Sequence, residues 1–345
     1  MEIKKDRMKK IVVIGAGLIG KERLAAINSL QKAGRQIEIV GIYDPFNVDI
    51  NKIVENYNTR SFSSLEEALK VLPDWVFIAT PHDVVPEILP VILSKGAKVL
   101  VEKPLGRSLT EAKKLFEKIT FPDQLYVGFN YRFFKGINAL LNDVKKSLFG
   151  EIISVNLTLG HGGDPDMKKG WKLDPVRAGG GCLIDPGIHL LDICNLLGNN
   201  NVKVVDGLLW SGFWNTGIEE ESHILFKSNN FIINLQVSIV HWRSTFCFEV
   251  NGTEGYGRVS GRNRSYGNQT YIRGKRWGWL ENKTQKDSEE LIVETNGNDV
   301  FVDEIDALLF SNNNLAIRPC TASEALSNME LLENCLKVLK EKVKK

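Results

Sequence analysis

Residues 11–20 limit the possible folds more than any other stretch. Ile11-Val12-Val13-Ile14 is a short β-branched run, and Gly15-Ala16-Gly17-Leu18-Ile19-Gly20 follows it directly. Helical spacing of apolar residues then runs from Leu18 to Ala33 and stops at Gly34. A buried strand, a glycine turn and a helix in that order present free N–H groups and the positive end of a helix dipole with no side chain in the way. That is a ready site for a pyrophosphate. A glycine repeat alone carries little; its place between strand and helix gives it meaning. Asp44 ends the next strand, Ile37 to Tyr43, 24 residues past Gly20. It fits an acceptor for ribose hydroxyls, favouring NAD with NADP as second choice, and equally an ordinary turn aspartate before Pro45.

The alternation continues through the first third. Helices are predicted over 50–57, 64–71, 84–94 and 109–118, and strands over Trp75–Ala79, Lys98–Glu102 and Leu125–Phe129. Continuous apolar strands joined by helices predict a doubly wound parallel sheet covered on both faces. Past residue 150 the period becomes two, over 152–159, 202–210, 222–226, 231–239 and 246–250, with Asn251-Gly252 as a turn signal. Helices are predicted again over 300–310 and 321–342, the second opened by a capping box from Thr321 to Glu324. A chain of 345 residues exceeds one core. The expected division is a dinucleotide-binding domain over 1–125 and an α+β domain over 126–345, with the 321–342 helix packing back on the first.

With 43% apolar residues, 25% charged residues and a net charge of +2, no electrostatic case exists for nucleic acid or a membrane surface. No apolar run is long enough to span a bilayer. Met1–Lys10 is charged and lacks a secretory core, and Cys182, Cys194, Cys247, Cys320 and Cys335 show neither CxxC nor metal-ligand spacing. The expectation is a cytoplasmic protein with reduced thiols and no metal.

Two further stretches carry chemistry. Val99-Leu100-Val101-Glu102-Lys103-Pro104 puts a carboxylate and an amine at the C-terminal end of a parallel strand, where ligands bind in open α/β sheets; its Lys103–Pro104 bond is a candidate for the cis form. Gly179-Gly180-Gly181 leads through Asp185-Pro186 into Gly187-Ile188-His189-Leu190-Leu191-Asp192. If a helix starts at Asp185, then Asp185 and His189 share one face, a turn apart. A proton-transfer site would justify burying both, while an N-cap aspartate and a satisfied core histidine are the plainer alternatives. Asp192 reads as structural.

Together the glycine turn, Glu102-Lys103-Pro104 and the Gly179–Asp192 segment resemble the Gfo/Idh/MocA oxidoreductase family, over nearly the whole chain. The resemblance implies an N-terminal Rossmann domain and a C-terminal α+β domain whose large, open, mainly antiparallel sheet joins homodimers or homotetramers. It implies hydride transfer between NAD or NADP and a hydroxyl-bearing carbon of a sugar, nucleotide sugar or cyclitol. By position it assigns catalysis to Lys103, Asp185 and His189, and cofactor contacts to Gly15, Gly17, Leu18, Ile19, Gly20, Asp44, Thr80, Pro81, His82, Glu102, Lys103, Trp171 and Lys172. Substrate contacts fall to Lys103, Asn130, Arg132, Asp185 and His189. Lys172 stands where many members carry arginine, which removes a planar fork. His189 is assigned as base and Lys103 as stabiliser of alkoxide charge, with the two roles exchangeable. An NAD-dependent glycosidase working by transient oxidation and a non-catalytic NAD- or sugar-binding regulator are the alternatives. Arg258, Arg262, Arg264, Arg273 and Arg276, interleaved with Tyr266, Tyr271, Trp277 and Trp279, fit either an acidic or nucleotide sugar or, as the preferred reading, a solvated loop or subunit contact.

Overall fold

The computed structural model describes residues 7–281, 288–297, 299–310 and 317–343. In chain order the first part runs β1 (Lys9–Ile14), α1 (Leu18–Lys32), β2 (Ile37–Tyr43), α2 (Ile50–Asn56), α3 (Leu65–Lys70), β3 (Trp75–Ile78), α4 (Val85–Ser94), β4 (Lys98–Glu102), α5 (Leu109–Phe116) and β5 (Leu125–Gly128). Then come α6 (Lys135–Lys145), β6 (Ile152–Gly160), α7 (Pro175–Ala178), α8 (Ile188–Gly198), β7 (Lys203–Trp210), β8 (Glu221–Ser228), β9 (Phe231–Ser238), β10 (Thr245–Gly252), β11 (Gly255–Ser260), β12 (Gln269–Lys275), α9 (Gly278–Glu281), β13 (Glu289–Thr295), α10 (Val300–Phe310), β14 (Cys320–Thr321) and α11 (Ala322–Val343).

Two compact units result. The first takes the described parts of 1–129, 301–313 and 319–326, and the second takes the rest. The expected break at 125/126 therefore lies at 129/130, and the second domain is not one continuous stretch, because two C-terminal segments belong to the first unit. The two-residue strand β14, too short to leave a period in the sequence, pairs antiparallel with β5.

The sheet of the first unit has the order β14-β5-β4-β3-β1-β2, and β1 to β5 are parallel. Ile11, Val12, Val13, Ile14 and the whole of β3 are buried, as strands covered on both faces must be. From β1 the chain moves to β2 on one side and then crosses to β3 on the other. The C-terminal ends of β1 and β3 therefore flank the switch point where open α/β sheets bind ligands. One buried residue of α1 breaks the apolar pattern. Arg23 pairs with Glu102 at 2.7 Å and Glu304 at 2.5 Å. Burial pulls its pKa down, but Glu102 and Glu304 more than offset this, so the guanidinium stays charged.

The second unit is built on a sheet of order β13-β12-β11-β10-β6-β9-β8-β7, antiparallel except where β6 meets β9. Val155, Leu157, Leu159, Ile233, Leu235, Val237, Phe246, Phe248 and Val250 face the core, and α6 packs over β11 to β13. The expected Asn251-Gly252 turn is corrected. Both residues remain in β10, and the chain turns at Thr253 and Glu254. Gly252 is needed because a Cβ there would run into the Phe149 carbonyl oxygen.

Candidate functional site

The first unit's candidate site lies at the C-terminal ends of β1, β3 and β4. Gly15 has φ +88°, and a Cβ on it would lie 2.6 Å from the Ala79 carbonyl oxygen. A Cβ on Gly20 would run into the Gly15 carbonyl, so both glycines are demanded by the fold itself. Gly17 is different. Its backbone is ordinary and a Cβ would meet nothing within 4 Å. The protein does not need this glycine, but a ligand pressed against the loop would. Gly17 is also the N-cap of α1, with no side-chain cap, so the first-turn N–H groups of Leu18, Ile19 and Gly20 point outward. Leu18 is 75% exposed, unusual for a leucine at a helix start.

Asp44 and Asn47 pin this loop. Ala16 N–H donates to Asp44 Oδ2 at 2.7 Å, and Asn47 Nδ2 donates to the Ala16 carbonyl at 2.8 Å. Phe46 N–H also donates to Asp44 Oδ1 at 3.1 Å, so the turn role and the loop role coexist. Across the switch point stand Thr80, Pro81 and the buried His82. Thr80 Oγ1 is buried with no hydrogen-bond partner among the described residues. An orphaned hydroxyl next to the Gly15 turn, whose Gly17 is kept bare for no internal reason, fits a dinucleotide phosphate, which would satisfy both. Replacing Gly17 with alanine should therefore weaken dinucleotide binding by tenfold or more and leave the melting temperature within about 2 °C. Calorimetric titration with NAD beside a thermal melt reads both; unchanged affinity would remove the phosphate from this turn.

Glu102 ends β4 with its carboxylate on Arg23, whose Nε donates to Glu102 Oε1 at 2.8 Å. Lys103 follows, half-buried, and its peptide to Pro104 is cis.

In the second unit the helix expected to begin at Asp185 begins at Ile188 instead. The Asp185–Pro186 peptide is cis and Gly187 is the N-cap, so Asp185 does not cap α8 and does not sit one turn from His189 on it. The glycines that lead there fit close backbone crossings. A Cβ on Gly181 would collide with the Glu219 carbonyl, and one on Gly187 would lie 2.7 Å from the Cys182 carbonyl oxygen. Asp185, nearly buried, accepts from Lys172 Nζ at 2.9 Å. Lys172 reaches it from the turn 171–173, half-exposed, and the Asp185 charge raises its pKa.

His189 is buried in α8, and its imidazole lies flat on the Tyr131 ring, with centroids 3.9 Å apart and planes 8° from parallel. Tyr131 lies on the 3₁₀ turn Asn130–Phe133, and burial pushes its phenol pKa up. Arg262 covers the ring at 4.8 Å to its centroid and stands 4.1 Å from that of Tyr266. His161 completes the group. Burial holds it neutral, with Asp185 opposing that shift and Lys172 and Arg262 adding to it, and its Nδ1 accepts the Gly163 N–H at 3.0 Å.

Asn130 Oδ1 is buried with no partner among the described residues, so it has hydrogen-bonding capacity to offer. Arg132 does not. It and Asp192 are each 1% exposed, and their fork closes at 2.7 and 2.5 Å. Asn328 Nδ2 donates to Asp192 at 2.8 Å, and Asn195 to Asn328 at 2.8 Å. The expected substrate arginine is thus a buried brace beside Tyr131, its guanidinium spent within the protein. The other arginines scatter: Arg273 pairs with Asp143 and Glu290, and Arg276 donates to the Gly252 carbonyl. Sequence reasoning passed over Tyr131, although it lies between two residues it named, and over His161, one of only five histidines. Among the described residues no group of three or more metal-ligating side chains occurs, and no helix is long and apolar enough to cross a membrane.

Residues 9–127 match the family model GFO_IDH_MocA, described as oxidoreductase family, NAD-binding Rossmann fold, and residues 140–258 match the GFO/IDH/MocA C-terminal domain. Glucose-6-phosphate 3-dehydrogenase of Bacillus subtilis (strain 168) is 30% identical over 54% of this chain and 53% of its own length. The 2,7-anhydro-N-acetylneuraminate hydratase of Escherichia coli (strain K12) is 27% identical over 70% of this chain and 65% of its own. The chain thus spans between half and two thirds of the length of these curated relatives. A levoglucosan dehydrogenase solved with NADH and levoglucosan shares the fold at a TM-score of 0.80, covering 97% of this chain and 98% of that one at 16% identity.

Proposed function

The chain belongs to the GFO/IDH/MocA oxidoreductase family, and on that footing we propose that it is a cytoplasmic NAD(P)-dependent dehydrogenase acting on a hydroxyl-bearing carbon of a sugar, nucleotide sugar or cyclitol. The observation that carries this reading is the bare, uncapped turn at Gly17 beside the orphaned Thr80 hydroxyl, in a chain that also buries an imidazole and a carboxylate around Tyr131. When bound, the dinucleotide supplies a nicotinamide that takes up or returns a hydride.

The chain's own groups do the rest. His189 takes the hydroxyl proton, as an imidazole does near neutral pH. Lys103 is assigned to stabilise the charge that develops on the substrate oxygen. Asp185, steadied by Lys172, accepts from a neighbouring hydroxyl, and Asn130 offers its free amide oxygen to another. Arg132 and Glu102 act as positioning residues, Arg132 through Asp192 and Glu102 through Arg23. Lys172 is assigned to Asp185 rather than to the cofactor, and Trp171 lies under the Lys172 ammonium. The Asp44 carboxylate favours the ribose hydroxyls of NAD over the extra phosphate of NADP.

A screen of inositols, aldoses, uronates and nucleotide sugars, followed by the absorbance of reduced nicotinamide, tests this; no signal from any of them would end the proposal. The hydratase relative favours one second reading, in which oxidation is transient and the hydride is returned. Net NADH separates the two, since only the dehydrogenase accumulates it. Copies of the chain pair through the open face of β6 to β9, where Leu208 is 73% and Trp210 52% exposed. Light scattering that returned the mass of one chain would end that part.

A further inference from the structure

We infer that the substrate carries an oxyanion, a phosphate or a carboxylate, and that Arg262 is the residue that recognises it. This rests on the sugar-dehydrogenase reading and deepens it. Arg262 is only part-exposed and its Nε is buried, yet it makes no hydrogen bond and no ion pair among the described residues. Its contacts are ring faces only: Tyr131 at 4.8 Å, Phe134 at 5.6 Å and Tyr266 at 4.1 Å. Stacking fixes the plane of the guanidinium and leaves its edge of N–H donors unused. A buried donor without an acceptor costs free energy, and an incoming oxyanion would remove that cost with a two-point bond.

The neighbours supply no alternative partner. The Asp185 carboxylate is already taken by Lys172 at 2.9 Å. His161 is held neutral by burial, and the phenol of Tyr131 is pushed towards its neutral form. His241 lies against Gln236 at 3.2 Å and Glu221 at 3.8 Å. With Lys172 and Asp185 cancelling, the guanidinium is surplus positive charge. It is one ring away from the imidazole of His189, since Tyr131 touches both. A neutral sugar gives such a group only hydroxyl acceptors, whereas a charged one matches both its fork and its charge.

The test compares kcat/KM with NAD for a neutral hexose, its 6-phosphate ester and the matching uronate, in the wild type, Arg262→Met and Arg262→Lys. The expected wild-type preference for at least one anionic partner over the neutral sugar is roughly tenfold or more. Arg262→Met should remove most of that ratio, and Arg262→Lys, which keeps the charge without the fork, should restore part of it. Preference for the phosphate alone or the uronate alone tells the two sources apart. A ratio unchanged in Arg262→Met, or no preference in the wild type, would overturn the inference while leaving the dehydrogenase intact. Should no sugar yield NADH, the functional reading fails by itself. Calorimetric binding of the same three compounds to wild type and Arg262→Met, both confirmed folded by thermal melt, then decides the inference in the same way.

Discussion

Replacing His189 with alanine should lower kcat by about 10²- to 10⁴-fold, the usual contribution of a positioned proton acceptor, and change the affinity for NAD little. The imidazole is buried and held flat against Tyr131, so it has one orientation and little freedom to lose on reaching the reaction geometry. The same stack makes His189 part of the core, and a bare truncation also opens space. His189→Gln is therefore the companion variant, since it keeps polar bulk but cannot shuttle a proton. Single-turnover rates with NAD and an active sugar, beside a thermal melt, separate the effects. If His189→Gln turned over at the wild-type rate, the base would lie elsewhere, with Lys103 the next residue to test.

Replacing Asp192 with alanine should destabilise the second unit by about 3–5 kcal/mol, because Arg132 would keep its charge in a site 1% exposed with no carboxylate to meet it. Asn328 would lose an acceptor as well. Replacing both partners together, Arg132→Met with Asp192→Leu, should recover most of that loss, since two apolar groups leave no stranded charge. Denaturant midpoints of the two single variants and the double give the coupling. A double variant as unstable as the sum of the singles would mean that the pair's worth lies in shape rather than charge.

Much of the first unit was legible because its signals are local. A glycine turn, a strand of Ile and Val, and an aspartate at the next strand end each act within a few residues of where they are read. Strands β1 to β5 lie within a residue or so of the predicted ranges for that reason. Strands β11 and β12 were not anticipated, because Gly, Arg and Tyr break the alternation that a half-buried strand normally shows; β13 and helix α6 were not anticipated either. The candidate site was legible in its residue types and not in its arrangement. Asp-Pro reads as a helix cap until the helix is seen to start at Ile188, with Gly187 as its N-cap. Arg132 reads as a ligand-binding arginine until Asp192, 60 residues away in sequence, is seen to hold it. Tyr131 gives no sign in the sequence that its ring would carry an imidazole on it and a guanidinium over it, because stacking leaves no period.

The short pairing of Cys320–Thr321 with β5, together with Glu304 on Arg23, ties the nucleotide-binding unit to segments that leave the ribosome long after β5. Until those residues emerge, the edge of β5 has an open row of N–H and C=O groups and Arg23 has only one of its two counter-charges. Exposed edges of that sort invite pairing with other nascent chains. A gene fragment ending near residue 129 would encode every glycine of the phosphate turn and still produce a half-finished domain.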